Sequence, residues 1–153
     1  MEKQNNTEKS KATLKLLEAL YKNVRMGADS IIDIMPKTVD EDLRNELTSE
    51  LERYGEFSKK IESAILDMGE DAKDQGVLAK LGTKMSVAMN TMMDSTTSHI
   101  AEMMIQGGTM GITDATKLLR EYESTSCSEN ALSLAREIIK YEEDTVERLK
   151  KFL

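Results

Sequence analysis

Apolar residues recur every three or four positions along most of the chain, the spacing of helices that bury one face. Leu17, Leu20, Val24, Gly27, Ala28, Ile31 and Met35 form one stripe, which predicts a first helix over about 7–35. Pro36 closes it, because the residue before a proline is pushed away from helical geometry. Thr38 and Glu41 have the spacing of a capping box. A second helix follows over about 39–68, with Leu43, Leu47, Tyr54, Phe57, Ile61, Ile65 and Met68 along one face. Gly69 to Gly76 is a polar break.

From Val77 to Tyr122 the helical pattern runs without a proline. A single helix of that span would reach ~70 Å at 1.5 Å per residue, against ~43 Å for the first helix. The stretch therefore divides near Asp94 and Ser95, whose short polar side chains can cap a new start. This gives a linking helix over about 77–93 and a fourth helix over about 96–123. Residues 124–128 form a hydroxyl-rich turn. The last helix covers about 129–152, packed through Leu134, Ala135, Ile138, Thr145, Leu149 and Phe152.

The two halves echo each other. Met26-Gly27 matches Met110-Gly111, a shift of 111 − 27 = 84, and Tyr54 matches Glu142, a shift of 142 − 54 = 88. That order predicts two helical hairpins joined by a long link, an all-α four-helix bundle running up-down-down-up with an extra helix in its crossover. The whole chain is then one domain, 1–153, a length that suits one sizeable core.

Composition agrees with helix and removes several classes of function. The chain has one Pro, no Trp and eleven Met, with 28 acidic against 21 basic residues. An acidic chain repels phosphate backbones, so nucleic acid is not an expected partner. No apolar run approaches the ~20 residues of a membrane helix. The polar start has no signal-peptide core, so the expected location is cytoplasmic. Cys127 is the only cysteine, which rules out an internal disulfide.

Residues 23–27 (Asn-Val-Arg-Met-Gly), 98–107 and 109–114, set in two hairpins with a crossover, resemble the ferritin-like superfamily. They are also similar to a group of small proteins of Gram-positive bacteria that brings no activity with it. The resemblance covers about 11–153. Catalytic bundles of this kind hold two metal ions with a Glu from each of two helices and Glu-x-x-His from each of the others. The corresponding layer here falls on Asn23 in the first helix and on Tyr54 and Phe57 in the second, or on Glu50 and Arg53 one turn earlier. It falls on Gly107 or Gly108 in the fourth helix and on Glu142 and Thr145 in the last. Both histidines are missing, since His99 is the only one in the chain. The resemblance thus implies a degenerate centre, with no metal and no cofactor. Buried polar groups there are expected to be hydrogen-bonded to each other or to water. Glu50 is expected to be buried, with a partner on a neighbouring helix.

Other chemistry is sparse. His99 and Glu102 share a face, but two ligands make a poor metal site, and a histidine that hydrogen-bonds locally is the favoured explanation. Seven methionines between Met85 and Met110 could bind soft Cu(I), form an adaptable surface, or fill core gaps. Cys127 sits where a helix dipole could activate it, or is a passive loop thiol. Gly27, Gly107 and Gly111 predict a close seam between the first and fourth helices. The function that follows is a non-catalytic interaction or assembly protein, expected to form a homo-oligomer. The alternative is a metal- or redox-active bundle using a non-standard site at His99, Glu102 and the methionines.

Overall fold

The computed structural model describes residues 2–69 and 92–153. Among them are four long helices and no strand: α1 (Glu2–Ile34), α2 (Glu41–Asp67), α3 (Thr97–Glu123) and α4 (Glu129–Leu149). Short 3-10 turns at Met35–Lys37 and Lys150–Phe152 follow α1 and α4. The linking helix expected over 77–93 lies outside the described residues except at its end. There Met92 and Met93 are not helical and lead into α3.

Helix ends depart from the sequence reading for local reasons. Helix α1 begins five residues before Thr7. That first stretch is Glu, Lys, Gln and Asn, wholly exposed, so it carries no apolar period to detect, although Glu, Lys and Gln are good helix formers. The capping box at Thr38 and Glu41 is not formed. Asp40 caps α2 instead, accepting from Leu43 N at 2.8 Å, while the Thr38 hydroxyl turns back and donates to Ile34 O at 3.0 Å. Arg44 then donates to Met35 O and Thr38 O, satisfying carbonyls that a helix end leaves without partners. Gly69, at φ +80°, stops α2 in the left-handed geometry that glycine adopts most cheaply. Thr96 caps α3 through its hydroxyl rather than beginning it. The last helix ends at Leu149 and tightens to 3-10 geometry over its final turn.

Helix α1 packs on α2 and α3, and α4 packs on α3 and α2. Named bonds fix the pairings. The Tyr21 hydroxyl donates to Glu62 at 2.9 Å, tying α1 to α2. Asn23 Nδ2 donates to Gly111 O at 3.0 Å, tying α1 to α3. Ser128 N donates to Thr13 Oγ1 at 2.9 Å and holds the α3–α4 turn against α1. Arg148 reaches Glu46 at 2.6 Å, and Glu137 takes both Arg53 and Lys60, joining α4 to α2.

The buried apolar side chains form one cluster along the bundle. Leu16, Leu17, Leu20, Ile61, Ile65 and Ile138 fill one end, and Ile31, Ile34, Leu43, Leu47, Ile100 and Leu149 fill the other. Between them lies a polar belt of Asn23, Glu50, Tyr54, Glu142 and Thr145. No helix among the described residues is long and apolar enough to cross a membrane.

Candidate functional site

The polar belt opens on a cavity of about 610 Å³ between α1 and α3. Glycine makes the room. A Cβ on Gly108 would lie 3.0 Å from Val146 Cγ2, and one on Gly111 would lie 3.4 Å from Glu142 Oε1 and 3.6 Å from Asn23 Nδ2. Across the bundle, a Cβ on Gly27 would come within 2.8 Å of the Tyr54 ring. The first neighbours of Gly27 and Gly111 are thus side chains of α2, α4 and α1, set where a larger residue would block them.

Asn23, Glu50, Tyr54, Gly107, Glu142 and Thr145 all line this one cavity, as do Gly27 and Gly111. Phe57 does not. It is fully buried one turn away, with its ring edge-on to Tyr141 at 5.6 Å and the Arg53 guanidinium over its face. His99 and Glu102 stand apart at the start of α3, with His99 Nδ1 3.7 Å from Glu102 Oε2, His99 half-buried and Glu102 exposed. Of the methionines between 85 and 110, Met103, Met104 and Met110 line the cavity, Met93 is fully exposed, and Met85 and Met89 lie outside the described residues. Cys127 approaches the Thr13 hydroxyl at 3.7 Å.

The carboxyls set the chemistry. Glu50 is 1 % exposed and Glu142 is 3 % exposed. Burial pushes Glu142 up to about 8. Burial also pushes Glu50 up to about 8, helped by the neighbouring Glu46 and opposed by Arg148. At neutral pH both are therefore largely protonated, which spares the bundle two buried charges. The Tyr54 hydroxyl is raised well above its ordinary value, first by burial and then by Glu142 and Glu50.

The expected internal hydrogen bonding of this layer is incomplete. Asn23 Oδ1, Glu50 Oε1 and Glu142 Oε2 are buried and have no hydrogen-bond partner among the described residues. The reason is competition. Arg148, the cation nearest Glu50, gives its Nε to Glu46 and its Nη2 to Thr145. Asn23 Nδ2 donates to the Gly111 carbonyl, which leaves Asn23 Oδ1 buried without a donor. Gly108, the alternative to Gly107 in the sequence reading, lines the cavity as well, whereas Arg148, which bonds Glu46 and Thr145, was not singled out in the sequence. Among the described residues no three of His, Cys, Asp and Glu converge as a metal-binding group.

The glycine contacts give a direct stability test. Gly27→Ala must displace the Tyr54 ring and is expected to lower the melting temperature, at a cost of about 1–3 kcal/mol. Gly55→Ala, in α2 with open space at its Cβ, is expected to raise it, by up to about 1 kcal/mol of helix propensity. Thermal unfolding of both variants checks the pair; equal shifts would remove the special role of Gly27.

No family model, no curated protein and no solved structure matches the chain.

Proposed function

We propose that this chain is a ferritin-like bundle, up-down-down-up, that has exchanged a two-metal centre for a cavity and acts without catalysis, as an interaction or assembly protein. The helix pairings support the topology. Tyr21 with Glu62 and Asn23 with Gly111 run α1 against α2 and α3, while Thr13 at Ser128 runs α1 along α4. Glu46 with Arg148 and Arg53 with Glu137 run α2 against α4. The internal echo supports it further. Gly27 against Tyr54 and Gly111 against Glu142 are equivalent contacts under the shifts of 84 and 88 in sequence.

The composition of the central layer carries the functional reading. Where a metal bundle needs four carboxylates and two imidazoles, this layer supplies Asn23, Glu50, Tyr54, Glu142 and Thr145 around open space. Its carboxyls are held protonated rather than ready to ligate. A cytoplasmic homo-oligomer belongs to the same reading. Met26 and Met110, 37 % and 68 % exposed, flank the cavity mouth and offer apolar area to a second copy.

Metal analysis of protein purified without chelator tests the reading. It predicts substoichiometric metal, and one or more equivalents of iron, manganese, zinc or copper would overturn it. Sedimentation velocity tests the assembly, with a monomer at all concentrations as the contrary result.

A further inference from the structure

We infer that the cavity between α1 and α3 is a binding site for a primary ammonium group carried on an apolar chain, with the Glu142 carboxylate and the Asn23 and Glu50 side-chain oxygens as its acceptors. The inference rests on the preceding reading of the centre as a metal-free cavity, and it names what that cavity takes.

The chemistry of the walls selects the ligand. Asn23 Oδ1, Glu50 Oε1 and Glu142 Oε2 have no partner among the described residues, and all three residues line the cavity. Buried polar atoms in folded proteins are almost always satisfied. Asn23 Oδ1 accepts only, and each carboxyl accepts through any oxygen that carries no proton, so a donor-rich group with no acceptor matches them once Glu142 ionises. An ammonium has three donors and no acceptor. A Cβ on Gly111 would sit 3.4 and 3.5 Å from the two Glu142 oxygens, which sets that carboxyl against the Gly111 wall of the cavity.

Charge points the same way. Asp29, Asp33 and Asp114 stand on the cavity lining with a single lysine, Lys22. An anion would meet that field and two buried carboxyls. A hard divalent metal would find only Glu50 and Glu142 as anionic ligands within, fewer than a dedicated oxygen cage supplies. Much of the remaining wall is apolar: Met103, Met104, Leu118, Val146 and Leu149 offer dispersion contacts to a hydrocarbon tail. The methionines adapt to tails of differing shape.

Entry of the cation changes the protonation of the site. A neutral Glu142 gives its proton to solvent as the ammonium arrives, leaving a carboxylate–ammonium pair. The charged and titratable groups around this exchange are Lys22, Asp29 and Asp33 on α1, Glu46, Glu50 and Tyr54 on α2, Asp114 on α3 and Arg148 on α4.

Calorimetric titration of the full chain at about pH 8 with n-hexylammonium, and separately with 1-hexanol, tests the inference. Hexylammonium is expected to bind with one equivalent per chain and at least tenfold more tightly than the alcohol, which has the same tail and no charge. Glu142→Gln and Glu50→Gln, isosteric with the protonated side chains, are each expected to weaken the amine at least tenfold while the variants keep their helical circular dichroism. Equal binding of amine and alcohol would overturn the inference, as would no binding, or wild-type affinity in both folded variants. These failures in metal-free protein leave the preceding reading standing, whereas stoichiometric metal in the purified protein removes that reading first.

Discussion

The melting temperature is expected to fall as pH rises from about 5 to about 8.5, the reverse of the usual behaviour of carboxylate-rich proteins on leaving acid. Glu50 and Glu142 have ordinary values of 4.5 and are raised to about 8 in the folded protein. In that window the folded chain holds protons that the unfolded chain has lost, so stability falls with pH. Their contribution is whole below pH 4.5, declines through neutrality, and is gone once pH passes the folded value near 8. For each carboxyl the rise from 4.5 to about 8 corresponds to an upper limit on the order of 4–5 kcal/mol. For a domain of this size that is roughly ten degrees or more in melting temperature. Glu50→Gln and Glu142→Gln should each remove about half of the slope, and the double variant should flatten it. A double variant that keeps the wild-type slope would place the pH dependence elsewhere.

Gly111→Leu is expected to cost about 1–3 kcal/mol or more, although leucine is the better helix former. A Cβ at Gly111 already meets both Glu142 oxygens and the Asn23 amide at 3.4–3.6 Å, so the remainder of a leucine must drive into them. It would push the Asn23 amide from the Gly111 carbonyl and leave another buried polar atom unsatisfied, at about 1–3 kcal/mol. Gly111→Ala reaches only ordinary contact distance and should be neutral or slightly stabilising. Thermal melts of the two variants should therefore diverge. A leucine variant that melts above the wild type would put Gly111 against solvent.

The helices were legible because packing here follows one rule along the chain. Leu17, Leu20, Val24, Ala28 and Ile31 keep helical spacing, and each is largely or wholly buried, Leu17 among them. Caps were less legible, since Thr38, Asp40 and Glu41 all have capping chemistry and only the backbone path selects Asp40. The inward orientation of Glu50 and Glu142 was readable from their places on apolar stripes. Their lack of partners was not. Glu46 and Glu50 lie one turn apart on α2, and only the three-dimensional position of Arg148 decides which carboxylate it takes. The cavity was also invisible in sequence, because its volume comes from glycines on α3 facing Val146 and Glu142 on α4, a pairing no local pattern contains.

On the proposed reading, Glu50 and Glu142 sit protonated in the middle of the bundle instead of serving as ionised metal ligands. Carbon-13 NMR of glutamate-labelled protein tests it most directly, with the two signals assigned through Glu50→Gln and Glu142→Gln. Two side-chain carboxyl resonances are predicted to titrate near pH 8, apart from the other glutamates, and to stay sharp and unshifted when Mn²⁺ is added at neutral pH. Titration of both near pH 4.5, or selective broadening of both by substoichiometric Mn²⁺, would contradict the account.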